Sequence, residues 1–105
     1  MQFQKQTWKI SINSQTDDKL KQFFPNDPYG DLTINSETQQ LQLTLAYLSI
    51  DSNFFAQLDS SISQIDLAHL PEEALLMVLR SLYGGELEVS SVALLDDVLS
   101  VINYL

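Results

Sequence analysis

Along the chain, five short segments alternate apolar and polar positions with a period of two: Trp8, Ile10 and Ile12; Leu32 and Ile34; Leu41 and Leu43; Ile65 and Leu67; Leu87 and Val89. Polar residues stand between them, such as Gln40 and Gln42 or Glu86 and Glu88. Successive side chains of a strand point to opposite faces, so this spacing predicts strands with one buried face. The second and third are separated by NSETQ, a polar stretch of hairpin length, which predicts an antiparallel pair.

Helical spacing fills the intervals. Thr16 is a candidate N-cap for a helix through Phe24, with Asp17 and Asp18 where the helix dipole favours negative charge and Pro25 ending it. Short helices are predicted over Thr44 to Leu48 and Ser52 to Leu58, and a longer one over Ser91 to Tyr104. Pro71 opens another, followed by Glu72 and Glu73, with Leu75, Val78, Leu79 and Leu82 at i, i+3, i+4 and i+7 facing the core. Gly84 and Gly85 follow it, where a glycine can take the left-handed cap conformation and turn the chain into the strand at Leu87. In the last helix, Val92, Leu95, Leu99 and Ile102 form one apolar stripe and Leu94, Val98, Val101 and Leu105 form another. Two stripes need cover on two sides. One side meets the core, and the other, expected at Val101 and Leu105, should meet a following helix or a neighbouring chain.

The order of elements predicts an α+β domain, and 105 residues with 45% apolar content suffice for one core. The turn-rich FPNDPYGD at 24 to 31 is too short to divide domains. Residues 1–30 read as an N-terminal strand and helix, and residues 31–105 as the body of the same domain. The N-terminus lacks the pattern of a secretory signal, and the longest apolar run, Ala74 to Leu79, is far too short to cross a bilayer, so no membrane role is expected. The absence of cysteine excludes disulfides and cysteine-based zinc sites and suits an intracellular location, cytoplasmic or nuclear. A net charge of −9 would repel nucleic acid and anionic lipid and points to a protein partner with a basic or apolar surface.

Chemistry-bearing constellations are weak, and no enzyme, metal or cofactor is expected. His69 is the only histidine and suits a surface or capping role. Asp51, Asn53 and Asp59 carry the start of a calcium-loop spacing, but Ala56 and Ile62 stand where the loop needs its glycine and closing glutamate. Asp96 and Asp97 are adjacent, point about 100° apart on a helix and cannot converge as an acid and base pair.

The course from YGDLTI through LTLAYLSIDSNFF and IDLAHLPEEALLMVLRSLYGGELEV to SVALLDDVLSVINYL resembles a BTB/POZ domain. Asp31, Leu32, Thr33 and Ile34 match that family's Asp-φ-Thr-φ strand. Leu48, Ser52, Phe54 and Phe55 match its helical pair, and Tyr83, Gly85, Glu86 and Leu87 match its φ-Tyr-x-Gly-x-φ corner. The resemblance implies a small mixed sheet flanked by helices, and a module for protein interaction, homodimerisation and partner recruitment. The strand KISIN and the helix after it resemble the N-terminal extension of zinc-finger BTB domains, which implies a strand-exchanged homodimer. In such a dimer Trp8, Ile10, Ile12, Leu20, Phe23, Phe24 and Tyr47 would form the interface. Read from the residues alone, the same strand packs equally well as an ordinary edge on its own domain. Leaving the indole and two isoleucines in water is costly, since a tryptophan buries on the order of 200 Å², worth on the order of 5 kcal/mol at most.

Other members of the family are adaptors that bring substrates to a cullin ubiquitin ligase. Three departures from the family's pattern stand out, the second and third weighing against that role. Thr44 and Leu45 replace the usual His and basic residue, which removes the charged pocket that zinc-finger members build with the aspartate matching Asp31 and speaks against corepressor binding through it. Leu58 to Gln64, LDSSISQ, is shortened and lacks the φ-x-Glu motif of cullin binders. The sequence also ends where the family continues into another helix. Leu58, Tyr83, Val101 and Leu105 remain candidate partner contacts. For Tyr83 the alternative is packing at the helix end with its hydroxyl in water.

Overall fold

A computed structural model describes residues 8–10, 22–59, 61–84, 87–89 and 91–105. The elements run β1 (Trp8–Ile10), β2 (Leu32–Asn35), β3 (Gln40–Leu43), α1 (Leu45–Asp51), α2 (Asn53–Ala56), β4 (Gln64–Asp66), α3 (Glu72–Leu82), β5 (Leu87–Val89) and α4 (Val92–Tyr104). All five alternating segments contribute strands, the first over its described residues Trp8–Ile10, and the strands divide between two sheets. One is three-stranded with the order β3-β2-β4, in which β2 pairs antiparallel with β3 and parallel with β4; the other pairs β1 with β5. Of the helix expected over residues 16 to 24, the part before Gln22 lies outside the described residues, and Gln22 and Phe23 form a 3₁₀ turn.

The hairpin register places Leu32 opposite Leu43 and Ile34 opposite Leu41, all four buried, while the intervening Gln40 and Gln42 face water. That is the period-two pattern realised. The other side of the core comes from α3, whose Ala74, Leu75, Val78, Leu79 and Leu82 are buried, with α1 and α4 packed against it. Leu48 of α1, Phe55 of α2 and Val98 and Val101 of α4 close this core. Each such side chain contributes roughly 1.5–3 kcal/mol by burial. Pro71 stands at the N-cap of α3, one position before the first helical turn in which it was expected.

After α3, Gly84 adopts φ 93°, a conformation that a side chain would strain, and its N–H donates to the Ser81 carbonyl at 3.0 Å. This left-handed residue is what turns the helix into β5. Gly30 has a different reason to lack a side chain, because a Cβ there would sit 2.9 Å from the Leu43 backbone nitrogen and 3.0 Å from the Asp27 carbonyl oxygen. The 26–31 segment is thereby laid flat against β3, with Asp27 N–H donating to Gln42 O at 2.8 Å and Asp31 N–H to Leu43 O at 3.1 Å.

The β2–β3 turn is held from a distance by Glu72, in the first turn of α3. Its carboxylate accepts from the hydroxyls of Ser36 and Thr38 and from the Thr38 N–H. These bonds, Ser36 foremost, hold the carboxyl below the usual glutamate value of 4.5. The folded state therefore favours the charged form. Its contribution to stability is complete above the unfolded pKa and is lost as pH falls through the lower folded one. In Glu72→Gln that contribution is missing at every pH. Denaturant titrations of wild type and variant are expected to differ most near neutral pH and to converge below 4.5. A gap that stays constant into acid would count against the assignment.

Candidate interaction surface

The residues expected at an interface fall into three groups. Trp8 and Ile10 lie on β1, which pairs antiparallel with β5 of the same chain in the register Trp8 to Val89 and Ile10 to Leu87. Ile12 and Leu20 lie outside the described residues. Phe23, Phe24 and Tyr47 are half-buried and packed against the core, where they meet Tyr83 and Tyr29, the latter a residue the sequence did not single out. Phe23 meets Tyr29 edge-on at 6.2 Å, while Phe24 and Tyr47 meet Tyr83 at 6.1 and 5.8 Å. Tyr29, 75% exposed, extends this aromatic cluster into water. On α1, one turn beyond Tyr47, Ile50 is 47% exposed. A clue to Ile50 was present in the spacing, since Tyr47 and Ile50 stand at i and i+3 on a face of α1 that does not include the buried Leu48.

Tyr83, at the centre of the cluster, corrects both expectations held for it. It is fully buried, neither wet at its hydroxyl nor available to a partner. Its hydroxyl donates to Asp27 Oδ2 at 2.8 Å and accepts from the Thr44 N–H at 2.6 Å. The Thr44 hydroxyl also donates to Asp27 Oδ2, at 2.7 Å, and the Tyr29 N–H donates to Asp27 Oδ1 at 2.9 Å. Burial acts to raise the Asp27 carboxyl, but the hydrogen bonds from Thr44, Tyr29 and Tyr83 outweigh it and hold the group below its ordinary value. Burial, and with it the neighbouring carboxylate, pushes the Tyr83 phenol far up, so it stays a neutral donor. The Thr44 hydroxyl points to Asp27 and makes no cap bond to α1; Asp31 Oδ1 accepts from the Leu45 N–H, at 2.9 Å. Asp27 and Phe24 thus belong to the packed body even though they fall within the first 30 residues.

The other candidates lie around the far ends of α2 and α4. Val101 is fully buried, which corrects the expectation that it faces a partner: the stripe containing Val98 and Val101 is the core side of α4. The opposite stripe is the open one, with Val92 70% and Leu99 45% exposed and Leu95 and Ile102 half-buried. Periodicity identified two stripes but could not say which the body would cover. Leu58 and Leu105 are half-buried against the core. The Leu105 carbonyl accepts from the Ser52 hydroxyl at 2.8 Å and from the Phe54 N–H at 3.3 Å, tying the last residue of the chain to the start of α2. A shallow groove of about 500 Å³ lies there between Phe54, Gln57, Ile102 and Tyr104. Exposed His69 packs edge-on against Tyr104 at 5.1 Å, a surface contact.

Among the described residues no group of three His, Cys, Asp or Glu could hold a metal ion, and no helix is long and apolar enough to cross a membrane. What the surface offers is apolar and aromatic contact area on an acidic body, suited to protein recognition. A comparison with curated proteins finds no match to this sequence. The family model of the BTB/POZ domain, a protein-interaction module, matches residues 20–105, and with the small mixed sheet, the helical pair and the buried Tyr83 corner in place, the chain belongs to the BTB/POZ family.

Proposed function

We propose that this domain is a homodimerising scaffold whose self-contact is centred on Phe23, Phe24, Tyr47 and Ile50, with β1 exchanged onto β5 of the partner copy. One observation carries the reading: Phe24 and Tyr47 pack half-buried on Tyr83, Phe23 packs on the exposed Tyr29, and Ile50, one turn from Tyr47, is 47% exposed, so a set of large apolar side chains is left incompletely covered. A cluster of aromatic anchors of this kind supplies most of the energy of a protein contact. The acidic body left around it suits recruitment of a further protein with a basic or apolar surface. The alternative role as a cullin adaptor has no observation in its favour, because Tyr83, the one residue retained from that contact, is buried.

Light scattering tests the proposal. The wild-type chain is expected at about twice its 11.9 kDa mass at micromolar concentration. Tyr47→Asp places a charge at the centre of the contact and is expected to weaken association on the order of tenfold or more, about 1.4 kcal/mol, with the circular dichroism spectrum retained. A wild-type monomer under these conditions overturns the reading.

A further inference from the structure

None of the four α3 residues Glu73, Leu76, Met77 and Arg80 is fully buried, although Leu76 and Met77 pack against the edge of the core, and none belongs to the contact proposed above. At 100° per residue they fall on one face of α3, opposite Leu75, Val78 and Leu82. Glu73 and Arg80 are exposed, and Leu76 and Met77 between them are half-buried. Together with Phe24 and Pro25 they line an open groove of about 420 Å³. The sequence makes Arg80 unusual, since Lys5, Lys9, Lys19 and Lys21 leave it as the only lysine or arginine after position 21 in a chain of net charge −9.

We infer that this face of α3 docks against the same face of a second copy, the two helices antiparallel about a twofold axis passing between Leu76 and Met77. The pattern is self-complementary in the way a twofold contact requires, where residue i meets j of the partner and j meets i. Glu73 and Arg80 stand symmetrically about the 76/77 midpoint, so antiparallel pairing brings each Glu73 to the Arg80 of the other copy while Leu76 and Met77 cover one another. Within one helix the two charges are about 10.5 Å apart along the axis, and partners on a helix surface are three or four residues apart, so they do not serve each other. Acid at the start and base at the end of α3 also suit the helix dipole, but that accounts for neither the shared face nor the apolar pair between them. Met77 adds a flexible, polarisable side chain that fits an imperfect groove. The patch is small, which makes the contact weak and dependent on concentration.

Charge exchange between copies supplies the test, by sedimentation equilibrium of the full chain up to the highest soluble concentration. Glu73→Arg and Arg80→Glu are each expected to lower the average mass relative to wild type, because each leaves like charges facing across the axis. An equimolar mixture of the two variants is expected to restore it, since in the mixed pair every charge again faces its opposite. The two substitutions move the net charge in opposite directions, so general repulsion predicts that Glu73→Arg associates more strongly than wild type. That result, or a mixture no heavier than the mean of its components, overturns the inference. Both residues are exposed, and thermal melts of each variant confirm that the fold is retained. Phe24 borders both this groove and the contact around Tyr47, so the same comparison is made in the Tyr47→Asp background, where recovery of mass in the mixture is again expected and its absence overturns the inference.

Discussion

Tyr83→Ala is expected to destabilise the domain by about 3–5 kcal/mol, a large fraction of the roughly 5–15 kcal/mol that holds a domain folded. The side chain is wholly buried, and its removal leaves a cavity, strands the Thr44 N–H and takes one of the three donors from the Asp27 carboxylate. Tyr83→Phe separates the two effects. It keeps the ring against Phe24 and Tyr47 and removes only the hydroxyl, so a loss of about 1–3 kcal/mol is expected. Combining Tyr83→Phe with Thr44→Val should cost less than the sum of the two changes, because both donate to the same Asp27 oxygen. Denaturant titration measures all three. Equal stability of wild type and Tyr83→Phe would show that the buried hydroxyl network does not contribute. The size of the alanine effect also bears on binding studies, since loss of partner binding in Tyr83→Ala would report an unfolded domain.

Phe55→Ala is expected to cost about 3–5 kcal/mol, and Phe54→Ala, one residue away, well under half of that. Phe55 is fully buried and its N–H donates to the Ser52 hydroxyl that caps α2, whereas Phe54 is half-buried, with its ring 5.3 Å from that of the partly exposed Tyr104. Thermal melts of the two variants provide the comparison, and equal effects would show that Phe54 is as deeply committed to the core as its neighbour.

What could be read in the sequence depended on short-range pattern. The Leu32/Ile34 and Leu41/Leu43 hairpin, the core face of α3 and the turn at Gly84 each follow from residues within a few positions of one another, and each is present. Ser52 and Ser91 cap α2 and α4 for the same local reason, each accepting the N–H three residues on. The Asp27 network could not be read in this way. An aspartate in the turn-rich NDPYG suggests a solvated loop, and its burial is tolerable only because Thr44 and Tyr83, 17 and 56 residues further on, supply donors. The same holds for Glu72 in the first turn of α3, whose partners Ser36 and Thr38 lie across the fold in the hairpin turn. Hydrophobic periodicity says that a face will be covered. It does not say by what, and in α4 it is the stripe of Val98 and Val101 that meets the core while that of Val92 and Leu99 stays open.

The β1–β5 ladder has a quantitative consequence. Its hydrogen bonds and its Trp8 to Val89 register are the same whether β5 belongs to the same chain or to another, so the ladder itself is neutral between the closed and the exchanged form. What separates them is concentration. A strand tethered to its own domain meets β5 at an effective concentration on the order of millimolar, against micromolar for a free copy. That thousandfold advantage equals about 4 kcal/mol, which contacts outside the ladder must supply for exchange to prevail in dilute solution. Raising the protein concentration a thousandfold removes the requirement, so one sequence can populate closed and exchanged forms with no change in a single backbone hydrogen bond of this ladder.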